Sequence, residues 1–224
     1  LADAAGRIAQ LTHYEQDNVD AVVLWSLAIR HAIRTGEFVP RIGLNHLPLE
    51  RRGRWRELIG QACAKDGHPR DFRQGNGWVV TAFQAALAAV NGARDVPDAL
   101  FRAVRGGGDT DTVAAIAGAM AGAVWGAAQV PLVWQRTLHG WPGLRVNDLT
   151  RLAVLAARGG RPDRVGWPAG ATVSTEYFRH TAAVPHPHDA GVWLGSQSAL
   201  AALPPSVGAV VSLCRVGRHE VPSG

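Results

Sequence analysis

The stretch Gly106-Gly107-Gly108-Asp109-Thr110-Asp111-Thr112-Val113-Ala114-Ala115-Ile116-Ala117-Gly118-Ala119-Met120-Ala121-Gly122-Ala123 decides how this chain is read. It sets two carboxylates and two hydroxyls between a glycine run and a segment of small residues. Glycine permits φ > 0 and the close approach of other groups, whereas the alanine-rich sequence after it is a strong helix former. The reading is therefore a sharp loop feeding a helix that its neighbours can approach closely. Asp109, Asp111 and Thr112 offer only oxygen donors, and such a set suits a hard cation, Mg²⁺ or Mn²⁺. Two acids spaced two apart at a helix start can diverge around one ion or bridge two. Capping competes with this role, because one Asp or Thr satisfies the free helix amides and the helix dipole favours acids. Local chemistry leaves both readings open.

Outward from this turn, helical periodicity dominates the first 160 residues. Val19, Val22, Val23, Leu27, Ile29 and Ile33 follow i, i+3, i+4 spacing, with Asp17 or Asn18 as a start signal and Gly36 as a stop. A second segment runs from about Gly77 to Val90 with Val79, Val80, Phe83, Leu87 and Val90 apolar. Shorter helices are expected at about 50–65, 97–105 and 148–158. The class is all-α, a compact multi-helix bundle of the kind that places metal sites between helices. The uncharged run from Thr112 to Gln135 carries Gly118, Gly122 and Gly126 at the spacing of a membrane packing motif. Its alanine and glycine content is too weakly apolar for insertion, and Pro131 breaks it. It reads as a central packed helix, and no membrane partner is expected.

After Ala157 the periodicity stops, and residues 161–185 read as a linker rich in glycine and proline. Beyond it, Gly191-Val192-Trp193-Leu194-Gly195 and Gly208 to Cys214 read as short strands flanking a helix-like Ser198 to Leu203. Residues 186–224 thus form a short α/β segment. His186-Pro187-His188-Asp189 reads as linker rather than as a transition-metal site, since no third partner lies nearby.

The net charge of +5 comes from arginine, Lys65 being the lone lysine. A nucleic-acid partner is not required by it and ranks last among the partners considered. Arg51, Arg52, Arg54 and Arg56 surround Trp55 and read as a solvated face, with a pyrophosphate contact as the alternative. Cys63 and Cys214 lie far apart and make no metal pair or disulfide framework, which suits a reducing cytoplasm. No charged-then-apolar leader opens the chain. Oligomeric state has no signature here.

The string GGGDTDTVAAIAGAMAGA closely resembles the second metal-binding motif of the ADP-ribosylglycohydrolase family. Leu11-Thr12-His13-Tyr14-Glu15-Gln16-Asp17 resembles the family's Thr-His segment before a long helix, and Gly75-Asn76-Gly77-Trp78-Val79-Val80 its Gly-aromatic-Val segment. The likeness covers roughly residues 1–142 and identifies residues 1–160 as the later part of such a domain. It implies that Asp109, Asp111 and Thr112 are Mg²⁺ ligands, with Asp111 touching both ions of a two-metal centre. It also implies that His13, Gly77, Trp78, Gly107 and Gly108 line the ADP-ribose site. The family's Gly-Asp-rich segment, catalytic glutamate and Thr-Asp-Asp motif do not occur in these residues, so about half of a dinuclear site is expected here.

The activity implied is Mg²⁺-dependent hydrolysis of the glycosidic bond between ADP-ribose and a modified protein side chain. The rivals are a non-catalytic ADP-ribose-binding module and a piece of a glycohydrolase–phosphatase fusion. The second arises because the last 35 residues or so resemble the opening of a dual-specificity or tyrosine-phosphatase domain. Cys214 and Arg218 lack the spacing of that family's phosphate loop, and no activity is expected of this tail.

Overall fold

A computed structural model of the chain describes residues 1–141, 143–169, 182–186 and 189–211. The chain divides into two compact units, Leu1–Thr137 and Leu138–Gly224. The first is helical throughout: α1 (Ala2–Ala9), α2 (Gln16–Thr35), α3 (Leu49–Ala62), α4 (Val79–Asn91), α5 (Val96–Gly106), α6 (Thr110–Trp125) and α7 (Leu132–Thr137). Short 3-10 turns at Leu44–His46, Pro69–Phe72 and Ala127–Gln129 join them.

Helix α4 forms the centre. Its sequence is apolar on almost every side, the mark of a buried helix, and the ten residues Val80 and Ala82 to Val90 are all buried. Helices α2, α3, α5 and α6 pack around it. The core has two textures. Toward α3, large side chains dominate, and Phe83 meets both Trp25 and Trp55 edge-on at centroid distances of 5.4 and 5.3 Å. Toward α6, the contact is a seam of small residues, Ala28 and Ala32 of α2, Ala85, Ala86 and Ala89 of α4, and Val113, Ala117 and Met120 of α6. Gly118 belongs to this close packing, because a Cβ there would lie 3.1 Å from Leu100 of α5. Of the glycines in the 112–135 run, Gly118 serves helix packing, whereas a Cβ at Gly122 or Gly126 would meet nothing within 4 Å and Gly126, with φ +83°, ends α6. Among the described residues, no helix is long and apolar enough to cross a membrane.

The expected helices are present, and α2 stops at Gly36 with φ +73°, a left-handed cap that glycine adopts without strain. Helix α1 was not anticipated: at eight residues it offers little periodicity to read.

The second unit holds α8 (Val146–Ala157), near the expected 148–158, and two antiparallel hairpins. Strands β1 (His139–Gly140) and β2 (Leu144–Arg145) form a tight hairpin inside the region expected to be wholly helical. Strand β4 (Asp189–Leu194) corresponds to the expected strand at 191–195, but its partner is β3 (Val184–His186), which the sequence reading placed at the linker's end. The expected second strand is not formed where it can be seen: Gly208–Val211 take no strand conformation. A strand requires a paired edge, and Gly208–Val211 pair with no described strand. Ser212 to Cys214, Arg218, Pro187 and His188 lie outside the described residues. The helix-like Ser198 to Leu203 is a 3-10 turn, Gln197–Ala202.

Candidate metal and ligand site

The chemistry-bearing turn lies between α5 and α6. Helix α5 ends at Gly106, and a Cβ at that position would fall 2.8 Å from Cβ of Pro69, so the 3-10 turn Pro69–Phe72 packs directly on it. His68 caps that 3-10 turn, its Nδ1 accepting from the Arg70 amide at 3.1 Å. Burial, with the Arg70 and Arg102 charges nearby, lowers the His68 pKa, a direction that favours the neutral ring this acceptor role uses. Gly107 and Gly108 follow with φ of +81° and +76°, the conformations for which the glycine run was read.

Asp109 is the N-cap of α6. Its Oδ1 accepts from the Thr112 amide at 3.4 Å, a long bond that leaves the rest of the carboxylate free for other partners. Oδ2 lies beside Gly77, where a Cβ would be 3.9 Å away. Asp111 and Thr112 are exposed in the first turn of α6. The two roles weighed for Asp109 therefore coexist, one oxygen capping the helix and the other facing the Gly75–Trp78 segment.

That segment is a turn of its own. Gly75 has φ +70°, and its carbonyl accepts from the Trp78 amide at 2.9 Å and from Thr81 Oγ1 at 2.6 Å. Trp78 caps α4 and remains 47% exposed. It is an aromatic surface next to the acidic turn rather than a core residue. Asn76 joins the two turns: its Nδ2 donates to the Gly107 carbonyl at 3.0 Å and its Oδ1 accepts from the Asp109 amide at 2.8 Å. The sequence reading quoted Asn76 without giving it a role. The signal was an amide side chain between two glycines, the one polar group there able to bond in both directions.

The family model for ADP-ribosylglycohydrolase matches residues 1–164. The chain belongs to this family. The ADP-ribosylarginine hydrolase Tri1 of Pseudomonas putida (strain GB-1) is 37% identical over 87 residues, covering 39% of this chain and 24% of that protein. The human ADP-ribosylhydrolase ARH3 is 39% identical over 70 residues, covering 28% of this chain and 19% of its own length. The ADP-ribosylhydrolase ARH3 of Bos taurus is 57% identical over 35 residues, covering 16% of this chain and 10% of that protein. The chain thus spans a quarter or less of the curated relatives it matches. No solved structure matches the chain.

The donor set fits the hard divalent cation that family membership suggests, since every candidate ligand is an oxygen. Among the described residues no three His, Cys, Asp or Glu side chains gather into a metal-binding group. Asp109 and Asp111 are then the two carboxylates this turn offers, and a cation held by them would need water or further donors. His13 lies apart from this turn in bonding terms. Its Nδ1 is 2.9 Å from Thr12 Oγ1, and no described hydrogen bond ties it to the Asp109 turn.

The arginine cluster is a solvated face only in part, because three of its members are engaged within the fold. Arg51 bonds Asp17 and Asp20, and Arg54 grips Asp17 with both terminal nitrogens. Arg52 donates to the carbonyls of Leu47 and Asn45 at 2.9 and 2.8 Å. Arg54 and Arg56 keep the exposed position expected of the group, whereas Arg51 and Arg52 are half-buried. The cause is packing: α3 buries Trp55 completely, and this brings its flanking arginines against the acidic start of α2.

Proposed function

We propose that this chain carries the cation-holding part of a site that hydrolyses the glycosidic bond between ADP-ribose and a modified protein side chain. The observation that carries the reading is the approach of Gly77 to the Asp109 carboxylate, which brings the glycine turn that precedes the exposed Trp78 close to an oxygen donor. Asp109, Asp111 and Thr112 are the proposed cation ligands. Mg²⁺, or Mn²⁺ in its place, would supply Lewis-acid polarisation and an activated water when bound there.

The chain's own groups do the rest of the positioning. Gly107, where a Cβ would meet nothing within 4 Å, leaves room for a ribose or phosphate to approach the turn, and Gly108 contributes its backbone while its Cβ side is taken by Asn76 and the Arg73 carbonyl. Trp78 offers a π face to the adenine or ribose, and His13 a ring nitrogen at the proposed rim. In the reaction the anomeric carbon loses its bond to the protein side chain and gains the oxygen of water. The transition state is oxocarbenium-like, and the leaving group takes a proton as free ADP-ribose is released. No general acid or base is assigned within these residues.

The test is release of free ADP-ribose from an arginine-ADP-ribosylated protein, with Mg²⁺ and with EDTA, for the chain and for Asp111→Ala. The expected result is Mg²⁺-dependent release, reduced in the variant by at least the roughly 10–100-fold that even outer-shell changes at metal sites cost. Folded protein that releases nothing, with or without Mg²⁺, overturns the reading. The two-carboxylate turn also favours a second reading, ADP-ribose binding without turnover. Calorimetric titration with ADP-ribose marks it as saturable binding that Asp111→Ala weakens while no product forms.

A further inference from the structure

We infer that Asn76 is the positioning residue of the cation-holding turn, fixing the backbone from which Asp109 and Asp111 project. The inference rests on the reading that those two carboxylates hold a divalent cation. Asn76 is 4% exposed, and a buried amide side chain needs partners for both its ends. It finds both on one turn, the Gly107 carbonyl and the Asp109 amide. These groups flank Gly108, so a single side chain holds three consecutive residues.

The fit is exclusive on the other side as well. A Cβ at residue 108 would lie 2.4 Å from Asn76 Oδ1 and 2.7 Å from the Arg73 carbonyl. Asn76 reaches the turn only because residue 108 is glycine. A carboxamide is required because it alone presents a donor and an acceptor together at this length. An aspartate would keep the bond from the Asp109 amide and set an oxygen against the Gly107 carbonyl. Loss of both bonds frees the φ and ψ of the residue that aims the Asp109 carboxylate, and misaimed ligands bind metal weakly.

Gln84 is the control for a merely structural amide. It is equally buried, and its Nε2 donates to the Leu58 carbonyl at 3.1 Å and to Gln61 Oε1 at 3.0 Å, tying α4 to α3. The experiment compares the chain with Asn76→Ala, Asn76→Asp, Gln84→Ala and Asp111→Ala by three readouts: thermal unfolding, exchange of the Asp109 amide by NMR, and Mn²⁺ titration followed by water-proton relaxation.

Asn76→Ala is expected to speed exchange of the Asp109 amide and to weaken Mn²⁺ binding about tenfold or more. Asn76→Asp is expected to retain protection of that amide more than Asn76→Ala does. Gln84→Ala is expected to lower the unfolding temperature while leaving both site readouts within about twofold of wild type. Unchanged Asp109 exchange in Asn76→Ala overturns the inference whatever the metal does. So does an equal loss of Mn²⁺ affinity in Gln84→Ala. Mn²⁺ binding that is absent from the wild type, or untouched by Asp111→Ala, overturns instead the cation reading on which the inference rests, while the exchange result still decides whether Asn76 holds the turn.

Discussion

Two pairs of acids stand near helix N-termini in this molecule, and they are treated in opposite ways. Asp17 and Asp20, at the start of α2, are answered by cations and donors: Arg51 reaches both, Arg54 grips Asp17, and the Trp55 indole donates to Asp20 at 2.7 Å. Asp109 and Asp111, at the start of α6, have no basic side chain paired with them among the described residues. Asp109 receives only a backbone amide, and Asp111 stands exposed. Arginine is abundant, so the difference is one of placement. Where the acids hold the fold together the protein supplies their counter-charge, and where they do not it leaves negative charge open beside a glycine turn.

The largest effect expected from this contrast is on stability. Asp20 is 1% exposed, so Asp20→Ala leaves the buried indole N–H without its acceptor and takes from Arg51 one of its two carboxylate partners. Breaking a buried pair from one side costs about 3–5 kcal/mol, and urea denaturation followed by circular dichroism is expected to show a loss of that size. Asp111→Ala, on the exposed side of α6, is expected to change stability by no more than about 0.5 kcal/mol. Equal losses in the two variants would erase the division between structural and functional acids.

This division explains what was legible in the sequence. The main helices could be read because their periods, stop signals and lengths are local properties: α2 from its i, i+3, i+4 valines and leucines to Gly36, α4 from its continuous apolar run. The acidic turn of α6 was legible for the same reason, since glycines, acids and helix start lie within seven residues. Arg51 and Arg54 of α3 were misread because their partners lie 31 to 37 residues away, and spacing within α3 carries no trace of them. Asn76 was missed on the same ground, its two bonds reaching 31 and 33 residues forward. The hairpin β3–β4 failed in another way: β4 announced itself through β-branched content, but Val184-Pro185-His186 has the composition of a linker and becomes a strand only through its partner.

The glycine turn offers an effect of intermediate size that separates conformation from contact. Gly107 and Gly108 both have positive φ, yet a Cβ at residue 107 would meet nothing within 4 Å, whereas one at residue 108 would strike Asn76 and Arg73. Gly107→Ala is expected to cost only backbone strain, about 1–3 kcal/mol, because φ +81° with ψ 177° is a conformation that essentially glycine alone adopts. Gly108→Ala adds displacement of the Asn76 amide, whose lost bond costs a further 1–3 kcal/mol or about that. Thermal unfolding of the two variants side by side reads the difference. Equal costs would mean that Asn76 does not press on the turn, and the contrast with the arginine-clamped acids would lose its structural basis.

The smallest effect tests the clamped pair through pH. The hydrogen bond from Arg54, with Arg51 adding to it against the opposing effect of burial, holds the Asp17 carboxyl below its ordinary value of 3.8. A carboxyl depressed in the folded state contributes stability that is complete above the unfolded-state value and is lost as pH falls through the folded one. Arg54 is 42% exposed in this pair, so Arg54→Ala is expected to cost only about 0.2–1 kcal/mol near neutrality. The difference between wild type and Arg54→Ala, followed by urea denaturation, should shrink as pH is lowered from about 5 to about 2. Raising the salt to about 1 M should shrink it as well, because exposed charges are screened at that strength. The Arg51 contact with Asp20 is less open to solvent and salt than the Arg54 contact, because Asp20 is buried and Arg51 only about a quarter exposed, so a penalty for Asp20→Ala that fell equally with salt would show that burial of this acid does not shield its pairing.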